Sequence, residues 1–287
     1  MEKTVTLNNG LPIPQIGTGT YMLTDHEECK KSVLNALKIG YRHVDTAQMQ
    51  MYRNESAVGE AIKESGVPRE DIFITTKIWV TDYGNGKTKE AIQRSLNALQ
   101  IDYIDSVLLH QPFNDYIGAW KELEEAVRAG TIKSIGISNF DIRRTQEILN
   151  IAKIIPTVNQ VECHPYSQQN ELRSFLAQQD ILIEAWYPLG HGDKKLINEP
   201  TFGKIAKKYG KSNVQVILRW HIQKGHIVFP KASNPAHGKD NMNIFDFSLT
   251  DDEMAQITAL DKKKPYDNSP EFLKKIVFRF LGPSKKS

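Results

Sequence analysis

Seven polar residues stand at or near the ends of short apolar, β-branched runs: Asp45, Lys77, His110, Ser138, Asn139, Gln160 and Lys231. A carboxylate, an amine and an imidazole in such places can hold, move or steer a proton, while amides and hydroxyls can grip a polar ligand. One chemistry that suits this mixture is the reduction of a carbonyl group, because hydride addition leaves an alkoxide that needs a proton. A tyrosine, with an ordinary pKa of about 10, can supply it if a neighbouring cation makes the phenolate easier to form. At about 4 Å and an effective dielectric of about 20, a lysine ammonium contributes about 4 kcal/mol. That is up to about three pKa units before screening. A buried lysine in turn needs a carboxylate to stay charged, and a histidine can orient and polarise the carbonyl oxygen. Taken singly, each residue has a plainer explanation: Asp45 as a helix cap, Lys77 as a strand-end lysine, His110 as a core histidine. A whole ring of them is harder to explain by packing.

The elements that must position this ring alternate along the chain. After a hairpin around Asn8-Asn9-Gly10, strands are expected at Gln15–Thr20, His43–Ala47, Ile72–Lys77, Ser106–His110, Ser134–Ser138, Thr157–Glu162, Leu182–Tyr187 and Ile227–Lys231. Helical patterns lie between them, at Asp25–Ile39, Glu55–Ser65, Thr88–Leu99, Tyr116–Ala129, Ile142–Asn150, Gln169–Gln178 and Phe202–Tyr209. Such alternation predicts parallel βαβ units. Eight of them without a break in composition predict an α/β fold, a (β/α)8 TIM barrel in one domain over residues 1–287, with an N-terminal β-hairpin and an extra C-terminal helix or tail. An open doubly wound sheet is the competing fold. Gly17-Thr18-Gly19 lacks the third glycine and acidic partner that a dinucleotide fingerprint in such a sheet requires. In a barrel, the C-terminal strand ends face the active-site mouth.

Composition narrows the classes. A net charge of +3 on interleaved acids and bases is too small to predict nucleic-acid binding. No run approaches the ~18 apolar residues of a membrane span, and Met1 to Gly10 carries no apolar signal core. Cys29 and Cys163 make neither a disulfide framework nor a metal-ligand spacing, so no metal is expected and a reducing cytoplasm is the expected setting. Nothing predicts an oligomer, and a monomer is expected.

Several motifs occur in order along almost the whole chain. They are Gly40-Tyr41-Arg42-His43-Val44-Asp45-Thr46-Ala47 with Tyr52-Arg53-Asn54-Glu55, Ile74-Thr75-Thr76-Lys77-Ile78-Trp79, and Leu108-Leu109-His110. Gly136-Ile137-Ser138-Asn139-Phe140, Asn159-Gln160-Val161-Glu162-Cys163-His164-Pro165-Tyr166 and Phe229-Pro230-Lys231 follow. This set resembles the aldo-keto reductase family, and within it the bacterial diketogluconate-reductase and prostaglandin-F-synthase-like branch. The resemblance implies an NADPH-dependent reductase of aldehydes or ketones with Asp45, Tyr52, Lys77 and His110 as the catalytic four. It implies that Ser138, Asn139 and Gln160 hold the nicotinamide carboxamide and that Trp186 stacks on its ring. Lys231 would meet the 2′-phosphate, with Ser233, His237 and Asn241 completing the adenosine end. Leu189 begins the loop over the pyrophosphate, and Gly19, Thr20 and Tyr21 line the cofactor mouth. Trp79, Gln111 and His110 border the substrate. His164-Pro165-Tyr166 reads as a structural turn.

The chain departs from that pattern in three places. The family separates Asp and Tyr by five positions, whereas Asp45 and Tyr52 are seven apart across a duplicated Gln48-Met49-Gln50-Met51. Counting forward from Asp45 puts Gln50 in the tyrosine's place, while counting back from Asn54-Glu55 puts Tyr52 there. Asn54 as N-cap of the next helix would carry Tyr52 with it, so the expected solution is a bulge over Gln48–Met51. Second, His237 stands where the family often has an Arg, which predicts NADPH with relaxed discrimination against NADH. Third, Gln111 and Tyr21 replace common tryptophans and predict a roomier, more polar wall. Ser106 is expected to point into the barrel. A competing reading is a catalytically impaired or redesigned nicotinamide-nucleotide-binding barrel. Phe272, Phe278 and Phe280 in the tail could fold over the pocket, or at least as well pack on the barrel exterior.

Overall fold

A computed structural model describes residues 4–49, 52, 54–231 and 235–280. The chain opens with β1 (Thr4–Thr6) and β2 (Pro12–Pro14), an antiparallel pair in which Val5 faces Ile13. Gly10 takes a positive φ of 87° in the turn between them, a conformation that costs glycine little. Leu7 and Ile13 then pack with Phe73, Val158 and Ile227, each of which begins a later strand, so the hairpin covers the N-terminal end of the barrel.

Eight parallel strands follow: β3 (Thr18–Gly19), β4 (His43–Asp45), β5 (Phe73–Ile78), β6 (Ile104–Leu109), β7 (Ile132–Ser138), β8 (Val158–Glu162), β9 (Leu182–Trp186) and β10 (Ile227–Val228). Each pairs with the next in chain order. Ile16 bridges Val228, with Gly17 N donating to Val228 O at 2.9 Å and Val228 N to Gln15 O at 2.8 Å. That bridge joins the first strand to the last, and the expected barrel is the fold found. The two strands at the seam are shorter than the sequence suggested. Pro230 has no N–H to continue a ladder, and a Cβ on Gly17 would lie 2.8 Å from the Phe229 ring, so backbone and ring meet here without room for more pairing.

The helices are α1 (His26–Ile39), α2 (Glu55–Ser65), α3 (Lys87–Leu99), α4 (Tyr116–Arg128), α5 (Ile142–Leu149), α6 (Asn170–Ala177), α7 (Lys194–Ile197), α8 (Pro200–Tyr209), α9 (Asn213–Gln223), α10 (Pro235–Met242), α11 (Asp251–Thr258) and α12 (Glu271–Phe280). Local sequence sets several starts: the Asp25, Asp115 and Asp141 carboxylates each accept a backbone N–H three residues on, satisfying a donor the helix leaves unpaired. α9 and α11 go beyond the helices read from periodicity. Both begin with a capping box, Ser212 with Gln215 and Thr250 with Glu253, a signature visible in the sequence. Among the described residues no helix is long and apolar enough to cross a membrane.

Candidate active site

β5 is buried at all six positions, Lys77 included. Its Nζ donates to Asp45 Oδ1 at 2.6 Å and to Thr46 O at 3.0 Å, where β4 ends. Asp45 Oδ1 also accepts Gln160 Nε2 at 2.9 Å, and the same Nε2 donates to Glu184 Oε2 at 2.9 Å. The chain Lys77–Asp45–Gln160–Glu184 thus crosses the barrel interior from β5 to β9. Parallel register helps to build it, because Gln160 and Glu184 are direct cross-strand partners. Burial, and then the charge of Asp45, push the Glu184 carboxyl up to about 8.

The segment after β4 delivers the tyrosine. Gln48 N donates to Lys77 O, and the Gln48 amide reaches Ala91 O and Ser95 Oγ on α3. Tyr52 N then closes a turn onto Met49 O at 2.9 Å. Tyr52 is buried, with its ring centroid 5.4 Å from Lys77 Nζ, 6.1 Å from the His110 ring and 5.4 Å from the Tyr21 ring. Gln50 and Met51 lie outside the described residues, and so does that part of the expected bulge. Asn54 holds the N-cap position of α2 but does not cap it. Its amide is engaged elsewhere: Oδ1 accepts Thr46 Oγ1 and Thr20 Oγ1, and Nδ2 donates to Thr20 O and Leu23 O. Asn54 therefore ties the end of β4 to the segment after β3, which anchors the Tyr52 turn from its far side.

One electrostatic expectation is corrected. Lys77 was expected to lower the tyrosine's pKa, but burial pushes the Tyr52 hydroxyl well above the ordinary phenol value, and the Asp45 carboxylate adds to the shift. The physical reason is depth: the cost of burying a phenolate dominates, and the Asp45 carboxylate 2.6 Å from Nζ opposes the field of the lysine. His110 is held well below its ordinary value by burial and by Lys77. It is therefore a neutral imidazole at neutral pH, able to hydrogen-bond an oxygen without carrying charge. The Trp79 ring stands edge-on to it at 5.0 Å.

These side chains open onto a cavity of about 990 Å³. Of the expected residues, Gly19, Tyr21, Asp45, Tyr52, Trp79, His110, Gln111, Ser138, Asn139, Gln160, Trp186, Leu189 and Lys231 line it. Asn139, just past β7, has a left-handed φ of 63°, uncommon outside glycine and worth a functional reading. Its Oδ1 accepts Trp186 Nε1 at 2.9 Å, and its Nδ2 donates to His110 O and Ser138 Oγ. Lys231 is exposed, with Nζ 3.3 Å from Tyr21 O across the mouth. Lys77 sits beneath the lining. Thr20 is turned away from the cavity toward Asp45 O and Asn54. His237 is exposed and Asn241 buried on α10, both outside the lining. Ser233 lies outside the described residues. Ser106 is buried.

The tail covers the mouth rather than the barrel exterior. Leu273, Val277 and Phe278 of α12 line the cavity. Trp79 Nε1 donates to Phe278 O at 3.2 Å, and the Phe278 ring contacts Trp79 at 5.1 Å and Phe113 at 5.8 Å. Arg144 pairs with Glu271 at the start of the helix. Upstream, the Glu162 carboxylate accepts Tyr266 N and Asp267 N, while Tyr166 O accepts Lys262 N and Lys264 N. His164 braces that carboxylate at 3.0 Å, so the His164-Pro165-Tyr166 turn anchors the tail. Phe272 stays largely exposed, and the Phe280 side chain lies outside the described residues. Sequence reading passed over Glu162 and Glu184. For Glu184 the available signal was a lone carboxylate in an otherwise apolar strand.

Away from the cavity, Cys163, His221 and His226 are buried together. His221 Nε2 faces Pro188 O at 3.2 Å, which makes its Nδ1 an acceptor for His226 Nδ1–H at 3.1 Å. The Cys163 thiol donates to Gln168 O, and burial pushes it up to about 12. This is a hydrogen-bonded core cluster.

Residues 15–262 match the family described as Aldo/keto reductase family. The 9,11-endoperoxide prostaglandin H2 reductase of Trypanosoma cruzi is 42% identical over 269 residues, covering 93% of this chain and 94% of its own length. The glyoxal reductase of Bacillus subtilis is 42% identical, covering 95% and 98%. A Bombyx mori aldo-keto reductase solved in complex with NADP superposes with a TM-score of 0.87 at 32% identity, covering 92% of this chain and 94% of that one.

Proposed function

Because this chain belongs to the aldo/keto reductase family, we propose that it is an NADPH-dependent carbonyl reductase, reducing small aldehydes or ketones to alcohols. The observation that carries the reading is the convergence of Tyr52, His110, Lys77 and Asp45 at a cavity that an exposed lysine, Lys231, also lines. The donor set fits a nicotinamide nucleotide. The Gln160 amide oxygen accepts no hydrogen bond among the described residues and belongs to a side chain lining the cavity, beside the Ser138 hydroxyl and the Asn139 amide. Trp186, steered by its bond to Asn139, offers an aromatic ring at the same place. Lys231 would meet the 2′-phosphate. With His rather than Arg at position 237, discrimination against NADH is relaxed.

A nicotinamide held there would supply the hydride for the carbonyl carbon. His110, neutral and buried, holds the carbonyl oxygen by a hydrogen bond. Tyr52 keeps its proton in the resting site and gives it up as negative charge builds on that oxygen. Lys77, whose Nζ lies 5.4 Å from the Tyr52 ring, is the cation beside the phenolate left behind. The name of the B. subtilis relative supports a small dicarbonyl as a first substrate to try. We read the whole chain as one domain, acting as a monomer in the cytoplasm, where the buried thiols Cys29 and Cys163 suit a reducing milieu.

The test is NADPH oxidation followed by absorbance with glyoxal and larger aldehydes, for the parent, Tyr52→Phe and Gln50→Ala. Positioned acid–base groups are worth about 10²–10⁴-fold, so Tyr52→Phe should lose activity on that scale while Gln50→Ala keeps it. A parent that binds NADPH and reduces nothing would overturn the reductase reading in favour of an impaired nucleotide-binding barrel.

A further inference from the structure

Glu184 is a carboxyl group closed off inside the barrel, on a strand that otherwise contributes apolar side chains, and the proton transfer described above does not use it. It sits opposite Gln160 in register, and its Oε2 takes a hydrogen from Gln160 Nε2 at 2.9 Å. A carboxamide has two donor hydrogens on nitrogen and an acceptor oxygen, and its orientation follows from what its neighbours can accept. Asp45 is held to Lys77 at 2.6 Å and can only accept, so the Gln160 atom 2.9 Å from it is the nitrogen. The second hydrogen goes to Glu184. Both hydrogens are then engaged inside the barrel, and only the amide oxygen remains for the cavity.

We propose that Glu184 is a positioning residue: with Asp45 it clamps the Gln160 amide, so that the site presents an acceptor oxygen to the carboxamide nitrogen of the nicotinamide. This rests on the reading that the cofactor's carboxamide lies against Ser138, Asn139 and Gln160. The carboxyl of Glu184 can accept from Gln160 whether ionised or neutral, and its high pKa, set by burial and Asp45, means that at neutral pH it does so largely as the neutral acid. The second buried negative charge that would otherwise face Asp45 is thereby absent. Without Glu184 one amide hydrogen has no partner, and the amide is free to turn about the Asp45 bond and offer a hydrogen to the cavity instead.

The experiment measures binding rather than turnover. Tryptophan-fluorescence titration gives dissociation constants for NADPH and for adenosine 2′,5′-bisphosphate, which carries the 2′-phosphate but no nicotinamide, against the parent, Glu184→Leu, Glu184→Asp, Glu184→Gln and Gln160→Leu. The expected pattern is NADPH binding weakened about tenfold, the scale of one lost hydrogen bond, in Glu184→Leu, and less in Glu184→Asp, whose shorter side chain withdraws the acceptor. The bisphosphate should bind all variants equally, and Glu184→Gln, which keeps an acceptor oxygen, should restore NADPH binding. Equal weakening of both ligands means that Glu184 merely supports the barrel, and unchanged NADPH binding means that Asp45 alone holds the amide; either overturns the proposal. If Glu184→Leu does not fold, Glu184→Asp and Glu184→Gln decide between the same outcomes. If Gln160→Leu leaves NADPH binding unchanged, it is the placement of the nicotinamide that fails, whatever the Glu184 variants do.

Discussion

Lys77 Nζ lies 2.6 Å from Asp45 Oδ1 with both side chains closed to solvent. A buried pair of this kind adds little net stability over an apolar pair, but removing one member leaves the other charge uncompensated at a cost of about 3–5 kcal/mol. Lys77→Met should therefore destabilise the fold on that scale in urea unfolding. The double variant Lys77→Met with Asp45→Asn should recover a good part of the loss. A single variant as stable as the parent would show that the pair is solvated.

The tail makes a second prediction. Phe278 packs its ring on Trp79 and Phe113, while its backbone, not its side chain, accepts the Trp79 hydrogen bond. Phe278→Ala should leave that bond and remove one wall of the cavity. Loss of a buried aromatic contact is worth about 1–3 kcal/mol, so KM for apolar aldehydes should rise about tenfold or more. The NADPH dissociation constant should stay near the parent's. An unchanged KM would place the substrate away from α12.

Lys231 reaches across the mouth to Tyr21 O and stays exposed. Lys231→Met should raise KM for NADPH about tenfold, as expected for one hydrogen bond to a charged group, and leave KM for NADH unaltered. His237→Arg should move the preference the other way. Equal effects on both cofactors would locate the 2′-phosphate elsewhere.

Stability should vary with pH in two directions. Burial lowers His43 and His221 from 6.5 to about 3, and His110 and His226 well below 6.5. The unfolded chain binds more protons at these four below 6.5, so their contribution is present above 6.5 and is lost as pH falls from there toward 3. Glu184 has the opposite sign: its proton leaves the unfolded chain near 4.5 and the folded one near 8, so stability declines as pH rises through that window. Facing it are Asp45, Lys77 and the Gln160 amide. Between pH 6.5 and 8 the two trends nearly cancel: Glu184 alone costs about 1.5–2 kcal/mol, while the four histidines, half protonated in the unfolded chain at 6.5, return a similar amount. Scanning calorimetry across pH should show Glu184→Gln gaining about 1.5 kcal/mol on the parent between pH 6.5 and 8. A difference between parent and Glu184→Gln that stays constant from 6.5 to 8 would mean that Glu184 is ionised throughout.

Much of this was legible from residues alone. Eight β-branched runs separated by amphipathic stretches suffice for parallel βαβ units, because side-chain periods of 2 and about 3.6 distinguish the two element types. Helix starts at Asp25, Asp115 and Asp141 follow from side-chain chemistry within three residues. The polar residues at strand ends are legible for the same reason: in a barrel, position along a strand already decides which end of the molecule a residue occupies.

What could not be read is what depends on partners far apart in the chain. Asn54 has the right type and place for a cap, yet Thr20, Leu23 and Thr46 compete for its amide and win. The shift of Tyr52 upward rather than downward depends on how deeply it is buried and on the carboxylate that opposes the lysine's field, and neither quantity is local. Glu184 is a lone carboxylate in an apolar strand until register sets it beside Gln160. The tail could have lain on either side of the barrel wall; Trp79, Phe113, Glu162 and Arg144, contributed by four separate segments, draw it over the mouth. The sequence by itself determined the order and type of the elements and the roster of polar groups, since these rest on short-range periodicity and side-chain chemistry. Only the tertiary structure decided their protonation, pairing and cover, since burial and charge act through space and not along the chain.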